Sequence, residues 1–368
     1  MPTDATETQA SQDRRNSWID RSLLALVGAS VAVVFAGAIV QVRYGSYEMT
    51  LVEVVKTLVN PNLLFDLQTW RAILLGESFP EMSNQSLIVW NIRMPRILVA
   101  VFVGANLAVS GAIFQAVTRN ELASPYILGV NSGAGFAILL VLILFTGLSA
   151  YVPLVAALGG AGAFLLVYAI AWQNGTSPVR LVLAGIIVNT IFNSLQTGLF
   201  FFAPSTGAFQ NALSWTTGSL TGVDWEQVRV ILPWTAATLT LSLAGARQLN
   251  VLLLGERTAQ SLGMSVERVR FLLSAVAIVG ASASVAVAGL VGFVGLVVPH
   301  LVRTVVGSDY KRLILGCMFA GPALMVAADV FARLALSPTQ VPVGIVTGLL
   351  GGPYFLYLMR KHGNLSEF

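Results

Sequence analysis

Long apolar runs alternate with short polar segments along most of the chain. Ten runs stand out, at 22–42, 96–117, 125–147, 151–172, 179–203, 228–246, 268–292, 294–306, 312–334 and 343–360. A helix needs about 20 apolar residues to cross a bilayer, and it satisfies its own backbone there. The strands of a membrane barrel would instead alternate in polarity over about 10 residues. The pattern therefore predicts an all-α polytopic membrane protein with about ten transmembrane helices. Whether the short eighth run, which contains Pro299, crosses completely is open.

One charged island interrupts this pattern. Residues 254–270 read LGERTAQSLGMSVERVR and lie between two long apolar runs. The pattern predicts about two helical turns with Ala259 and Leu262 on one side, ended by Gly263, which tolerates positive φ. Ser265 is a candidate N-cap for the next helix, because its hydroxyl can accept a backbone N–H. We expect a compact knob between two spans rather than an extended loop.

Composition agrees with a membrane protein. The chain is 56% hydrophobic and 10% charged, whereas a soluble domain carries about 25% charged residues. The single cysteine, Cys317, lies in an apolar run; it excludes an intramolecular disulfide and is interpreted as a packing residue. The net charge of +4 comes from loop lysines and arginines. Since such residues orient a chain in the membrane, they are no reason to expect a nucleic acid partner.

The basic residues predict which loops face the cytoplasm. With the N-terminus inside, 14 of the 21 lysines and arginines fall on the inner side, as the positive-inside rule requires. The first apolar run lacks a clear signal-peptide cleavage site and is interpreted as an uncleaved span. We expect a protein of the plasma (inner) membrane with cytoplasmic polar tails at 1–21 and 363–368 and a transmembrane domain at 22–362. Within that domain, 43–92 would be a long extracytoplasmic loop and 254–270 a cytoplasmic segment.

Two outer segments have recognisable features. The loop 43–92 contains the apolar pieces Val52–Leu58 and Ala72–Leu75, which predict short helices lying on the surface. The segment 203–227 is turn-rich near its end and carries Trp215 and Trp225, which suit the membrane interface.

A faint internal repeat relates the two halves of the chain. Glycine, alanine and phenylalanine recur at similar spacing in the second and seventh runs, and a proline opens both the fifth and the tenth. The matching positions are Gly104, Ala105, Gly111 and Phe114 with Gly280, Ala281, Gly289 and Phe293, and Pro178 with Pro342. Because the paired runs would cross in opposite directions, we expect a weak inverted repeat, as in many transporters.

The sequence lacks the residues that several kinds of chemistry require. No GxxxxGK[ST] motif occurs, so the chain does not bind ATP by that route, and no HExxH or GxSxG motif points to a hydrolase. The two histidines are far apart in the sequence. A proton-driven carrier would use buried carboxylates, but no ladder of them is present, and Asp329 is spaced to pair with Arg333 along one helix face. We therefore expect no catalytic residues and neither a cofactor nor a metal ion bound by this chain.

Three arginines mark the outer ends of predicted spans. Arg93 and Arg96 begin the second run and Arg333 ends the ninth. Two interpretations are open: the side chains extend to lipid headgroups, or they form a positive ring that docks an acidic partner.

Longer motifs occur between about residues 90 and 360. They read NIRMPR (91–96), GAIFQ (111–115), NELASP (120–125), LGV (128–130), LGE (254–256), LG (262–263), GFVGLVVPH (292–300), AD (328–329) and PVG (342–344). Together they resemble the FecCD/BtuC-type permeases of ABC importers, which carry iron–siderophore complexes, haem or cobalamin inward. One departure is Glu121, which stands where this family often has proline and puts a charge in a gate loop.

The resemblance implies ten spans per subunit and a set of partners. These are a second permease subunit, identical or paralogous, two cytoplasmic ATP-binding subunits that hold ATP and Mg, an extracytoplasmic substrate-binding protein, and membrane lipid. The residues that match the family's ATPase-coupling segment are Gly255, Glu256, Arg257, Ala259, Gln260, Leu262, Gly263 and Met264. Those that match its binding-protein docking arginines are Arg93, Arg96 and Arg333. Those that match its gate and translocation path are Gln115, Asn120, Leu122, Asn174, Thr176, Ser177, Ser194 and Thr197.

We therefore expect the permease subunit of a binding-protein-dependent ABC importer, without enzyme activity of its own. It would move ferric siderophore complexes into the cell by ATP-driven alternating access. The stretch 215–220 (WTTGSL) resembles siderophore members more than cobalamin members. Cobalamin or haem import is the alternative within the family, and a secondary transporter driven by an ion gradient is the alternative from another class.

Overall fold

The computed structural model describes residues 20–44, 47, 49–173, 175–336 and 339–361. The tail expected at 363–368 and nearly all of the tail expected at 1–21 lie outside these residues. The regular structure of these residues is α-helical except for three short turns. Two are 3₁₀ turns, at Thr146–Tyr151 and Phe200–Phe202, and one is a π turn at Ile88–Arg93. The α-helices are α1 (Arg21–Arg43), α2 (Leu51–Leu58), α3 (Pro61–Leu64), α4 (Leu67–Leu75), α5 (Asn84–Leu87), α6 (Met94–Thr118), α7 (Val130–Ile143), α8 (Val152–Ala171), α9 (Pro178–Leu199), α10 (Thr206–Thr217), α11 (Trp225–Ala244), α12 (Ala246–Leu253), α13 (Glu256–Ser261), α14 (Val266–Ala288), α15 (Val294–Val306), α16 (Tyr310–Leu334) and α17 (Val343–Lys361).

Ten helical segments correspond to the ten apolar runs. Six of them, built on α1, α6, α8, α9, α14 and α16, are long and apolar enough to cross a membrane. A seventh is the pair α11 and α12, which bends by 51° at the break between them. The shorter apolar helices α7, α15 and α17 complete the set. The prediction of an all-α polytopic membrane protein is confirmed.

Two predicted runs are longer than the helices that form. The run 125–147 contains α7, which covers only 130–143, and the run 268–292 ends as a helix at Ala288. Gly289 adopts a φ of +70°, and the chain continues in non-helical form to Phe293. Backbone contacts from another segment satisfy this break, since Leu290 N–H donates to the Trp215 carbonyl at 2.9 Å.

The order of long and short helices agrees with the predicted internal repeat. Helices α6 to α9 have 25, 14, 20 and 22 residues, and α14 to α17 have 23, 13, 25 and 19. The short second helix of each set begins after a left-handed residue, Gly129 in one and Phe293 in the other. One bent pair of helices, α11 with α12, separates the two sets, and the opposite crossing directions of an inverted repeat stay a prediction.

Helix α6 lies at the centre of the bundle and is buried along most of its length, against α11, α14, α15 and α16. Glycines make this packing close. A Cβ atom at Gly111 would lie 1.8 Å from the carbonyl oxygen of Gly295, and one at Gly104 would lie 2.4 Å from that of Gly321. Small residues let helices approach in lipid, and these two contacts leave no room for a methyl group.

The second span begins earlier in the chain than its predicted start at 96. Helix α5, a π turn at Ile88–Arg93 and α6 form one continuous helix of 35 residues. Pro95 has no N–H to donate to the preceding turn, and a widened turn absorbs such an interruption.

The outer loop contains α2, α3 and α4, in agreement with its apolar pieces. Trp90 Nε1 donates to the Thr57 carbonyl at 3.1 Å and fixes α2 to the top of the second span. Arg229 donates to the carbonyls of Ala72 and Ile73 at 3.2 and 3.0 Å and fixes α4 to α11. In the other outer segment, the sequence analysis missed α10.

We predict that Gly111→Ala weakens the bundle. The added methyl group cannot avoid the Gly295 backbone, and overpacking of this kind costs about 1–3 kcal/mol. The midpoint of thermal unfolding in detergent should fall below that of the wild type. Gly162→Ala on α8 is the control, because nothing lies within 4 Å of the new atom. Equal midpoints for the two variants would contradict the close contact.

Candidate functional site

The coupling segment, 255–264, is a short helix held between two glycines. Helix α13 is flanked by Gly255 and Gly263, which adopt φ angles of +100° and +80°. Residues with a side chain rarely adopt these angles, so both turns favour glycine. Gly263 ends the helix as predicted, whereas Ser265 makes no capping hydrogen bond to α14.

The coupling segment packs on one side and is open on the others. Ala259 is fully buried but Leu262 is 64% exposed, so these two residues do not share a packed side as expected. Leu262 and Met264 line a cleft of about 470 Å³. Arg257 and Gln260 are exposed and line a second cleft of about 710 Å³. The knob therefore presents both apolar and charged groups to a partner.

A buried arginine connects the coupling segment with the loop before α9. The Arg270 side chain is 1% exposed, and its guanidinium lies 2.6 Å from Glu256 Oε1 and 3.1 Å from Glu267 Oε1. It also donates to the Thr176 carbonyl at 3.1 Å and to the Thr176 hydroxyl at 2.7 Å. Tyr168 donates to Glu267 at 2.6 Å. Such partners are required, because a charge removed from water is costly unless it is paired.

The sequence analysis singled out Glu256 and Thr176 but missed Arg270, Glu267 and Tyr168. The available signal was the three-residue spacing of Glu267 and Arg270, which places them on one helix face. The burial of Arg270 has no local sequence signature. It depends on the loop that contains Thr176, which lies 94 residues earlier in the chain.

The loop before α9 contains three of the predicted gate positions, Asn174, Thr176 and Ser177. Thr176 forms an isolated bridge with Trp172, and its N–H donates to Glu267 at 3.2 Å. Ser177 is the N-cap residue of α9 but its side chain makes no capping bond. Asn174 lies outside the described residues.

The second predicted gate loop follows α6. The side-chain oxygen of Asn120 accepts the N–H of Leu122 at 2.8 Å, which closes a tight turn. Gln115, in the last turn of α6, accepts a hydrogen bond from Arg303 of α15 at 3.0 Å. The structure thus brings these three predicted positions together at one end of α6 and α15.

Glu121 fixes the same loop to α15. Its carboxylate lies 2.7 Å from Arg303 and 3.6 Å from Nδ1 of His300. The contact with His300, followed by the charge of Arg303, holds the pKa of the Glu121 carboxyl below its usual range. The acid that departs from the family pattern therefore forms an ion pair across the loop.

Ser194 and Thr197 lie on the exposed face of α9. Their hydroxyls donate to the backbone carbonyls of Thr190 and Asn193, at 2.9 and 3.0 Å. Large aliphatic residues share this exposed surface: Leu183, Ile186, Ile187, Ile191 and Leu195. Between Leu183 and Thr197 this face carries no charged residue, and the Ser194 and Thr197 hydroxyls already have acceptors within the helix.

Arg96 is buried in an ion pair. It is 7% exposed, and its guanidinium donates to both carboxylate oxygens of Asp329, each at 2.8 Å. The expectation that Asp329 pairs with Arg333 along one helix is wrong. The facing helix supplies the partner instead, with two parallel bonds that a neighbour on the same helix would not match.

Arg93 and Arg333, the other two arginines of this group, also make their hydrogen bonds within the protein. Arg93 is buried and donates to the carbonyls of Val42 and Tyr47. Arg333 donates to the Gln41 carbonyl at 3.1 Å. A cavity of about 220 Å³ is lined by all three arginines. The three arginines therefore line a positively charged cavity and do not form an exposed ring. Their role in docking stays a prediction.

No group of three or more His, Cys, Asp or Glu side chains that could hold a metal ion occurs among the residues that the structure describes.

Known proteins share this architecture. The model of the FecCD transport family matches residues 35–361. The Fe(3+)-citrate import system permease protein YfmD of Bacillus subtilis is 42% identical over 285 residues, which cover 77% of this chain and 84% of the relative. The cobalamin import system permease protein BtuC of Halobacterium salinarum is 40% identical over 296 residues, which cover 79% of each chain. A solved structure, described as an inward-facing conformation of a metal-chelate type ABC transporter, matches with a TM-score of 0.77 at 27% identity over 92% of this chain and 99% of that chain.

The multi-pass helical fold, with its internal repeat and its rigid knob, defines a membrane permease of the ABC importer class. The chain belongs to the FecCD transport family.

We predict that Arg96→Met destabilises the protein strongly. The substitution leaves the Asp329 carboxylate buried without its partner, which typically costs 3–5 kcal/mol, about the value expected here. The double variant Arg96→Met with Asp329→Leu should recover much of this loss, because it removes both charges. Unfolding in detergent measures the effect, with Arg71→Met at an exposed position of α4 as the control. Wild-type stability of Arg96→Met, or no recovery in the double variant, would contradict a buried pair.

Proposed function

We propose that this chain is the permease subunit of a binding-protein-dependent ABC importer that moves ferric siderophore complexes into the cell. Membership of the FecCD transport family supports the transport class. The observation that carries the proposal is the coupling segment, a short helix that is connected through Glu256 to the buried Arg270. A helix anchored in this way can pass a push from a partner into the helix bundle, whereas a loop without such a contact would absorb it.

The proposed assembly contains several subunits beside this chain. They are a second permease subunit, identical or paralogous, two cytoplasmic ATP-binding subunits with ATP and Mg, and an extracytoplasmic substrate-binding protein. This chain works as a gate, and hydrolysis of ATP belongs to the partner. Both termini and the coupling segment lie in the cytoplasm, and the loop 43–92 lies outside.

Transport proceeds by alternating access. Closure of the ATP-binding subunits moves the coupling segment, which connects α12 with α14 in the chain. The tilt of these helices reaches the gate loops at Asn120–Leu122 and Thr176–Ser177. The exposed face of α9, with Ser194 and Thr197, then lines the path between the two permease subunits. A large and uncharged surface suits a bulky metal chelate.

The substrate class rests on three points. The relative YfmD is named for import of Fe(3+)-citrate, and the structural neighbour is described as a metal-chelate transporter. The WTTGSL stretch at 215–220 also favours siderophores. Cobalamin is the second candidate, because the relative BtuC is named for it at nearly the same identity.

The alternative that an ion gradient drives the transport has less support. Such a carrier needs membrane carboxylates that gain and lose protons. Asp329 in α16 and Glu267 in α14 are each paired with an arginine, and the acid of α11, Glu226, lies in the first turn of its helix. An ion pair stabilises the charged carboxylate and opposes its protonation.

Docking of the binding protein is proposed at the positive cavity of Arg93, Arg96 and Arg333. Acidic side chains of the partner would enter the cavity and meet guanidinium groups there. Complementary charge at such a site fixes the orientation of a partner and speeds its association.

We predict ATP-dependent uptake by the assembled complex. Proteoliposomes containing this chain, its ATP-binding subunits and its binding protein should accumulate labelled ferric citrate or ferric hydroxamate, also after a protonophore has collapsed the proton gradient. Omission of the ATP-binding subunits is the control. Accumulation by this chain alone, or loss of uptake with the protonophore while ATP is present, would refute the function. Faster uptake of cobalamin than of ferric chelates would change only the substrate.

A further inference from the structure

We propose that Arg270 is the positioning residue through which movement of the coupling segment reaches the loop before α9. The inference rests on the proposed function and deepens it, because it names the side chain on which coupling depends. It is drawn from the contacts of one buried cation with three separate parts of the fold.

Arg270 stands where these three parts meet. Its guanidinium contacts Glu256 on α13 at 2.6 Å, Glu267 on its own helix at 3.1 Å, and Thr176 in the loop before α9 at 2.7 Å. The Thr176 hydroxyl accepts from Arg270 and lies 3.0 Å from Glu267 Oε2, to which it donates. Each of the three parts thus contacts the guanidinium of Arg270, so a shift of any one of them changes the position of that group.

An open cleft lies at the same two segments. It has a volume of about 710 Å³ and is lined by Gly255, Glu256, Arg257, Thr258 and Gln260 of the coupling segment and by residues 175–178 of the loop before α9. Glu267 lines the same cleft. Among the polar contacts of the described residues, those of the Arg270 guanidinium reach both segments.

The chemistry of arginine suits a rigid connection. The guanidinium is always charged and planar, and its donors point in fixed directions. Hydrogen bonds to carboxylates are short and strong, and burial of Arg270 keeps water from replacing them. Glu256 is the exposed end of the network, with 39% of its side chain accessible, so a partner pressing on α13 displaces it first.

Arg270→Gln in the assembled transporter tests the inference. Glutamine can still bond to Thr176 but cannot pair with two carboxylates. The ratio of chelate taken up to ATP hydrolysed should fall at least about 5-fold, the lower range of measured coupling between sites. Arg268→Gln is the matched control, because Arg268 is an exposed arginine on the same helix, two residues before Arg270. It should keep the wild-type ratio.

Glu256→Gln guards against a folding defect of the first variant. It removes the ion pair between α13 and Arg270 but leaves Arg270 paired with Glu267, and the side chain is partly exposed. The ratio should fall in this variant as well, while hydrolysis by the complex continues. A residue that only supports the fold would lower uptake and hydrolysis together, so an unchanged ratio in both variants overturns the proposal. If the wild-type complex shows no ATP-dependent uptake, it is instead the proposed function that fails.

An independent observation concerns α2 and α4 in the outer loop. We infer that their outer faces lie on the headgroup region of the bilayer. Large apolar side chains are exposed there at helical spacing. On and just after α2 they are Val52, Val55 and Val59, and on α4 they are Leu67, Trp70, Leu74 and Leu75.

The charges on these faces fit an interfacial helix. Lys56 and Arg71 are exposed one position beyond Val55 and Trp70. The acid of α2, Glu53, is turned to Thr50 and Gln85, at 2.8 and 3.2 Å. An apolar face with basic residues and a tryptophan is typical of helices that lie in the membrane interface.

The position of α4 continues a lipid-facing surface. Its carbonyls at Ala72 and Ile73 bind Arg229 in the second turn of α11. Further along α11, Leu232 and Trp234 are exposed on this membrane helix. A binding protein would cover the apolar faces only while docked, and large apolar patches rarely stay exposed to water. The bilayer covers them at all times.

Spin labels at Val55→Cys and Leu74→Cys test this position in the full-length protein in nanodiscs of phosphatidylcholine and phosphatidylglycerol. Native Cys317 is fully buried, so labelling is selective. Both labels should be more accessible to oxygen than to a nickel chelate. A label at Glu77→Cys, an exposed position after α4, should show the reverse. Nickel access at all three positions overturns the inference. Nickel access at 55 and 74 that falls only when the binding protein is added also overturns it and assigns the faces to that protein.

Discussion

The close approach of α6 to its neighbours is the contact on which the rest of the bundle depends. In lipid, helices gain little from burying apolar surface against one another, so packing and backbone proximity hold them together. At Gly111 and Gly104 the backbone of α6 comes so near to Gly295 and Gly321 that no side chain fits between. With α6 in this place, α15 and α16 are brought beside it, and their polar groups reach the gate loop and the outer arginines.

Charged residues in this structure connect elements that are distant in the sequence. Arg96 and Asp329 join α6 to α16, and they are separated by 233 residues. Arg270 joins α13, α14 and the loop before α9. Because an unpaired charge in such surroundings is costly, each pair holds its elements in a defined position. In the proposed function, the exposed surface of α9 lines the transport path.

The sequence predicts those features that depend on local pattern. The apolar runs predicted the spans, because their length and polarity decide whether a helix can cross a bilayer. Gly263 predicted the end of α13, because positive φ favours glycine. Family motifs led to Glu256, Asn120 and Thr176 as candidate site residues, and the structure places Glu256 and Thr176 on one buried cation.

Features that depend on tertiary contact were not predictable in this way. Asp329 has an arginine four residues later, yet it pairs with Arg96 on another helix, and local spacing cannot tell these partners apart. Arg270 is the last residue of the charged island, and the local sequence gives no sign of its burial. Helix α10 was missed because its sequence is rich in polar and turn residues, and capping by Ser205 together with packing against α7 stabilises it.

The central claim is that motion enters at the coupling segment and reaches α9 through Arg270. Its most direct test is the distance between spin labels at Ser194 on α9 and at Thr240, an exposed position of α11, in the assembled transporter. ATP binding should shift this distance distribution in the wild type and leave it unchanged in Arg270→Gln. The same shift in both proteins would contradict the claim.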